Sequence, residues 1–188
     1  MRLFSLAAEI LPLAALFIGN SLFNIFIGAA ASVGLAGAIL LITWLRERRL
    51  ARFVIFSVLV SALFTLAAFW AGDSLFIKIQ PSLFNGLMAL ALLAGWLRGI
   101  PVMQLFFGAQ FTLTQPVWMQ LSLRWGLFFA ALVLANEWAW RHLGDDGWVA
   151  FKVFFVAPAT GLFMLAQLPL TLRGQAEARK SQPQGGGS

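Results

Sequence analysis

Side chains that could carry acid–base or nucleophilic chemistry are scarce in this sequence. Its 188 residues include one histidine, no cysteine and no tyrosine, which removes thiolate nucleophiles, thiolate metal sites and disulfides together. The sequence also lacks a glycine-rich phosphate-binding loop, a Gly-x-Ser-x-Gly motif and a His-Glu-x-x-His motif. We therefore predict a protein that is not an enzyme and that holds neither a cofactor nor a metal ion.

The largest group of polar side chains lies between residues 136 and 152. It consists of Asn136, Glu137, Arg141, His142, Asp145, Asp146 and Lys152. Glu137 precedes Arg141 by four residues, an order and spacing that favour an ion pair on one helix face. His142 and the two aspartates could ligate a metal ion, but their spacing matches neither zinc nor calcium sites. We favour a network of salt bridges at the membrane interface instead.

Glu9 is a further candidate, because it is a carboxylate in an otherwise apolar stretch. An ionisable group within a bilayer is costly and is a functional candidate by default, here for proton transfer. However, Glu9 lies close to the end of the chain, so its side chain could instead reach the membrane interface. The sequence leaves both interpretations open.

The composition indicates that membrane helices position these side chains. Hydrophobic residues make up 61% of the chain, charged residues only 11%, and the mean hydropathy is +0.86. Soluble domains contain about a quarter charged residues, and disordered chains have low hydrophobicity. Both classes are excluded, and we predict an all-α, polytopic helical membrane protein.

Neutral stretches of about 20 residues predict the spans, since such a helix crosses a hydrocarbon core of about 30 Å. We predict five long transmembrane helices plus a short N-terminal membrane-embedded helix, which gives five or six spans in one domain over residues 1–172. The predicted helices cover residues 3–18, 22–44, 53–72, 79–97, 121–141 and 150–172. Pro12 interrupts the first helix, and Gly19-Asn20-Ser21 is the predicted break after it. Residues 99–120 are predicted to form an interfacial segment, and residues 173–188 a flexible cytoplasmic tail.

Basic residues predict the orientation, because they concentrate in cytoplasmic loops. With six spans, the expected outer residues are Lys78, Arg141 and Lys152, and the expected cytoplasmic residues are Arg2, Arg46, Arg48, Arg49, Arg52, Arg98, Arg124, Arg173, Arg179 and Lys180. With five spans, the amino terminus lies outside and the later loops keep their sides. The carboxyl terminus is thus predicted to be cytoplasmic. Arg124 and Arg141 are 17 residues apart, roughly 25 Å along a helix, so they can anchor one span at opposite interfaces. We expect no nucleic-acid partner.

The second predicted helix carries small residues on one face. Ala30, Gly34 and Ala38 are spaced four residues apart, and Gly28 precedes them. Such a face permits close helix packing. We favour packing within the chain's own bundle, and the alternative is homo-oligomerisation through these four residues.

Several segments resemble the bacterial intracellular septation protein A family (inner membrane-spanning protein YciB) in their order and spacing. They are Glu9-Ile10-Leu11-Pro12-Leu13, Asp73-Ser74-Leu75-Phe76-Ile77-Lys78, Trp118, Leu121-Ser122-Leu123-Arg124-Trp125-Gly126, Asn136-Glu137, Trp140-Arg141, Trp148-Val149-Ala150-Phe151-Lys152, and Gln167 with Pro169. The resemblance covers nearly the whole chain from Glu9 to Arg173. The chain departs from the family at Gln80 and at Met119-Gln120, where the family often has basic residues.

The resemblance implies a non-enzymatic protein of the bacterial inner membrane that supports cell envelope maintenance, septation and cell elongation. It would act through contacts with other membrane proteins of division and cell-wall synthesis. The alternative is a transporter or handling protein for a small solute or lipid, suggested by charges near the membrane and by Gln115-Pro116. The candidate structural or interaction residues are Glu9, Pro12, Lys78, Trp118, Arg124, Trp125, Asn136, Glu137, Arg141, Trp148, Lys152 and Gln167.

Overall fold

A computed structural model describes residues 2–47, 52–108 and 111–181, and within these ranges the chain is helical and contains no strand. The prediction of an all-α polytopic membrane protein is confirmed. The helices are α1 (Arg2–Leu22), α2 (Ile25–Glu47), α3 (Arg52–Ala71), α4 (Leu75–Leu97), α5 (Val102–Phe107), α6 (Gln115–His142), α7 (Asp145–Phe151), α8 (Ala157–Ala166) and α9 (Leu168–Ser181), with a π turn at Lys152–Val156 between α7 and α8.

Four helical stretches of the described residues are long and apolar enough to cross a membrane. They are Ile25–Arg46, Leu75–Leu97, Gln115–His142 and Asp145–Lys180. Two shorter apolar stretches accompany them, Ile10–Leu22 and Ile55–Ala71. These lengths follow from the neutral runs of the sequence, because a buried backbone in lipid must satisfy its own hydrogen bonds within a helix.

Short polar residues and glycines define the turns between the first four helices. The Asn24 Oδ1 atom accepts a hydrogen bond from the Ile27 N–H group at 3.0 Å, so α1 ends later than predicted and α2 begins at this cap. Gly72 ends α3 with a positive φ of 66°. The Asp73 Oδ1 atom then accepts from the Leu75 N–H group at 2.8 Å, which places the start of α4 before the predicted residue 79.

The segment over residues 99–120 is more helical than the predicted interfacial segment. It contains α5, and α6 begins at Gln115 rather than at residue 121. Pro116 lies in the first turn of α6, where its missing N–H group costs no intrahelical hydrogen bond. The placement of residues 99–120 at an interface stays a prediction.

The last predicted span, residues 150–172, lies within the helical stretch Asp145–Lys180, which is interrupted at two places. The Ala157 N–H group donates to the Lys152 carbonyl five residues earlier, which makes the π turn. This wider turn precedes Pro158, whose ring would clash with the carbonyl of Phe154 in a regular helix. A second interruption falls at Gln167, between α8 and α9, because Pro169 has no N–H group to donate.

Residues 173–181, where the predicted flexible tail begins, are helical and belong to α9. Gln175, Ala176, Glu177, Arg179 and Lys180 are strong helix formers. In addition, Gly174 and Ala178 of α9 are buried, and a Cβ atom at Gly174 would lie 2.9 Å from the Val117 side chain. Residues 182–188 lie outside the described residues.

The chain divides into two compact units. Unit 1 is formed by Met1–Ser82 with Asn136–Ala157, and unit 2 by Leu83–Ala135 with Pro158–Ser188, each restricted here to the described residues. The prediction of one membrane domain over residues 1–172 stays a prediction.

Unit 1 is organised around an antiparallel pair of helices, α1 and α2, whose backbones touch. A Cβ atom added at Gly19 would lie 2.7 Å from the Gly28 Cα atom. One added at Gly28 would lie 2.6 Å from the Leu16 carbonyl oxygen. Only glycine permits this approach. The core around the pair contains Leu16, Ile25, Ala29, Ala68, Ile77, Ala139, Trp148 and Val149.

Unit 2 has its own apolar core, in which Trp118 of α6 is 2% exposed. The other buried members of this core are Leu92, Met103, Leu113, Val117 and Leu121. Trp125 packs against its edge, and the Trp125 ring lies 5.0 Å from the Phe163 ring in an edge-on arrangement. The Ser122 Oγ atom, fully buried, accepts a hydrogen bond from the Met103 N–H group at 3.1 Å and thereby fixes the start of α5.

Candidate functional site

A hydrogen-bonded network in unit 1, which we call the polar network, joins three helices through Asn136. The Asn136 side chain is 4% exposed. Its Nδ2 atom donates to the Lys78 carbonyl oxygen at 2.8 Å and to the Ser82 Oγ atom at 2.9 Å. Its Oδ1 atom accepts from the Trp148 Nε1 atom at 3.0 Å. A buried amide with both ends paired in this way fixes α4, α6 and α7 in one register.

The network continues from Ser82 to a carboxylate. The Ser82 Oγ atom donates to the Glu137 Oε1 atom at 2.7 Å, and the Arg141 Nη2 atom donates to Glu137 Oε2 at 2.9 Å. The predicted pairing of Glu137 with Arg141 is therefore confirmed. The Arg141 guanidinium also lies 4.5 Å from the centroid of the Trp140 ring, which adds a cation–π contact.

A second carboxylate of the network is held by α4. Lys78 forms an ion pair with Asp145, and the Ser74 Oγ atom donates to Asp145 Oδ1 at 3.1 Å. The Lys78 side chain is only 12% exposed. A buried ammonium group requires such a partner, since an uncompensated charge there costs several kcal/mol.

The neighbouring carboxylate connects the network to α1. The Asn20 Nδ2 atom donates to Asp146 Oδ1 at 2.7 Å. Asn20 is 6% exposed, and its Oδ1 atom has no hydrogen-bond partner among the described residues. The predicted break at Gly19-Asn20-Ser21 is therefore wrong, because Asn20 lies inside α1 and its amide pairs with α7.

Lys152 directly follows α7 and begins the π turn. Its Nζ atom is 4.8 Å from the centroid of the Trp148 ring, so the side chain points back along α7. This contact gives the ammonium group an aromatic face. Among the described residues, no group of three or more histidine, aspartate or glutamate side chains is placed to hold a metal ion. The hydrogen bonds of the polar network connect α1, α4, α6 and α7.

The coupling between Glu137 and Arg141 can be measured with a double-mutant cycle. We expect Glu137→Gln and Arg141→Gln to show a coupling free energy of about 0.5 kcal/mol, because the pair is on one helix and the Arg141 side chain is 58% exposed. Thermal unfolding of the two single variants and the double variant in detergent provides the measurement. Strictly additive effects would show that the pair contributes nothing.

Unit 2 contains a separate polar contact between α6 and the break before α9. The Arg124 Nη1 atom donates to the Gln167 Oε1 atom at 3.3 Å. The Gln167 side chain is 7% exposed, and its Nε2 atom donates to the Phe163 carbonyl oxygen at 3.2 Å. Of the other sequence candidates, Trp118 belongs to the apolar core of this unit and Trp125 packs against that core.

Some candidate residues from the sequence are not members of the polar network, and some members of the network were not candidates. Glu9 lies in α1, as does Pro12, but the Glu9 side chain is outside the described residues, and so are Arg48 and Arg49. The role proposed for Glu9 stays a prediction. Asn20, Ser74 and Ser82 were missed as members of the polar network. None of them is charged, and only Asn20 carries an amide, which was interpreted as a helix breaker.

Comparisons with known proteins find relatives that match most of the chain. The family model for intracellular septation protein A matches residues 4–178. Proteins named inner membrane-spanning protein YciB are similar to the chain. The one from Nitrobacter hamburgensis is 35% identical over 175 residues, covering 93% of this chain and 88% of the relative. Those from Sinorhizobium fredii and Rhizobium meliloti are 35% and 37% identical, covering 84% and 81% of this chain and 75% and 73% of the relatives. No solved structure matches the chain.

Proposed function

Because the chain belongs to the intracellular septation protein A family, we propose that it is a non-enzymatic inner-membrane protein that supports septation, cell elongation and envelope maintenance. It acts by contacts between its helix faces and membrane proteins of division and cell-wall synthesis. Its carboxyl terminus is cytoplasmic, in line with the basic residues Arg173, Arg179 and Lys180.

The internal pairing of the polar network supports a scaffold role. Glu137 is paired with Ser82 and Arg141, and Lys78 is paired with Asp145, so these ionisable groups contribute to the stability of the fold. One observation supports the alternative of solute or lipid handling. Lys152 begins a π turn, and such turns are frequent at functional sites.

The single observation that carries a helix-face mechanism is the exposed small face of α2. Ala30, Gly34 and Ala38 are all exposed, and a Cβ atom added at Gly34 would meet no atom within 4 Å. Gly28, by contrast, is used within the chain against α1. Small residues let a second helix approach closely, whether it belongs to a partner or to another copy of this chain.

A substitution that fills this face without disturbing the fold tests the proposal. We expect Gly34→Leu to insert and accumulate like the natural protein but to leave septation defective in cells that depend on it. The defect is measured as an increase in cell length and a loss of septa. The physical reason is that leucine fills the space a partner helix must enter, while remaining compatible with lipid.

Gly161 of α8 provides a matched control, because a Cβ atom there also meets nothing within 4 Å. Gly161→Leu is expected to support normal septation. Normal cell length with Gly34→Leu would contradict the role of the α2 face. Normal cell length after removal of the whole protein would contradict the septation role itself.

A further inference from the structure

Arg124 is a cation on α6 whose one polar contact with the described residues is with a neutral amide. Its guanidinium donates to Gln167 at 3.3 Å, and no carboxylate of the described residues pairs with it. The residue is nevertheless exposed. A guanidinium has five donors in a planar fork, so most of its hydrogen-bonding capacity is unused by the protein.

The length of α6 places Arg124 at the level of lipid headgroups. The helix has 28 residues, about 42 Å, against a hydrocarbon core of about 30 Å. Its last turn carries Arg141 and His142, which belong outside the hydrocarbon. The excess length therefore falls mainly before Arg124, so the guanidinium lies near the opposite boundary of the hydrocarbon core.

Gln167 holds the guanidinium in place, and the helix break explains why it can. Between α8 and α9 the Gln167 N–H group donates to the Met164 carbonyl rather than to the Phe163 carbonyl. The Gln167 Nε2 atom takes over the Phe163 carbonyl, which orients its Oε1 atom toward Arg124. Gln167 thus orients the Arg124 guanidinium before any ligand binds, which lowers the entropic cost of binding.

The charges of unit 2 favour an anion. Its described basic residues are Arg98, Arg124, Arg173, Arg179 and Lys180, and Glu177 is its only described acidic residue. A zwitterionic headgroup would present its ammonium group to this excess of positive charge. An anionic headgroup, such as that of phosphatidylglycerol, would present only its phosphate.

We propose that Arg124, held by Gln167, binds the phosphate of an anionic phospholipid at the surface of unit 2. Guanidinium and phosphate form paired, charge-assisted hydrogen bonds, which are stronger than neutral ones. This inference does not depend on the septation role.

Native mass spectrometry of the full chain in detergent, titrated with phosphatidylglycerol, tests the proposal. We expect the natural protein to retain phosphatidylglycerol in preference to phosphatidylcholine and to ignore inorganic phosphate at the same concentration. Arg124→Gln should weaken the phosphatidylglycerol affinity about tenfold, because a charge-assisted contact is lost. Arg124→Lys, which keeps the charge, should retain part of the affinity.

Arg179→Gln is the matched control, since Arg179 is an exposed arginine of the same unit. It should lower the affinity less than Arg124→Gln does. If Arg124→Gln does not fold, Gln167→Met replaces it and is expected to weaken binding severalfold. Equal affinity of the natural protein and the Arg124 or Gln167 variants, or equal binding of the two lipids, would overturn the proposal. Binding of inorganic phosphate alone would identify a general anion site instead and would also overturn it.

Discussion

Replacing Gly28 by alanine is expected to destabilise the protein by about 3 kcal/mol, even though alanine is the better helix former. The added Cβ atom would lie 2.6 Å from the Leu16 carbonyl oxygen and 2.8 Å from the Asn20 nitrogen. Both are backbone atoms of α1, so no side chain can move aside and the two helices must separate. The midpoint of thermal unfolding in detergent should fall by roughly 5–10 °C.

Gly37 on the same helix supplies the control for this substitution. A Cβ atom there would meet nothing within 4 Å, so Gly37→Ala is expected to leave the midpoint unchanged or to raise it. An equal midpoint for Gly28→Ala and the natural protein would mean that the α1–α2 contact is looser than described.

Asn136→Leu is expected to cost about 3–5 kcal/mol, because it removes three hydrogen bonds of the polar network. The fully buried Trp148 would retain an indole N–H group without an acceptor, and Ser82 would lose a donor. Each unpaired buried group costs about 1–3 kcal/mol. Thermal unfolding should show a fall larger than for any other single polar substitution in the network, and the indole fluorescence of the folded protein should change.

Asn85 of α4 is the matched control, because it is a half-buried asparagine with no side-chain hydrogen bond to a described residue. Asn85→Leu is expected to change the midpoint little. Similar midpoints for Asn85→Leu and Asn136→Leu would show that Asn136 does not organise the helices of unit 1.

The membrane fold and the local ion pair could be predicted from the sequence because both depend on short-range patterns. Apolar runs of about 20 residues require helices in lipid. Glu137 and Arg141 meet because any helix brings residues four apart together. Helix ends were less predictable, as for α6 and α9, because a proline or a polar run is compatible with either a helix or a turn until packing decides.

The partners within the polar network could not be predicted, because they depend on the register of helices far apart in sequence. Asn136 was a candidate residue, but its bonds to Lys78 and Ser82 span 58 and 54 residues. A serine in an apolar stretch gives no signal of its own. The π turn was also hidden, since Pro158 shows that a regular helix is disturbed but not how the chain accommodates it.

The hydrogen bond between Asn20 and Asp146 has a consequence for the order in which the protein is made. Its two partners are 126 residues apart, whereas the α1–α2 hairpin that carries Asn20 is complete within the first quarter of the chain. During translation the hairpin therefore enters the bilayer with this amide uncapped. A polypeptide that stops before α7 lacks Asp146, so the Asn20 amide has no such partner and an unpaired polar group remains in an apolar hairpin at a cost in free energy.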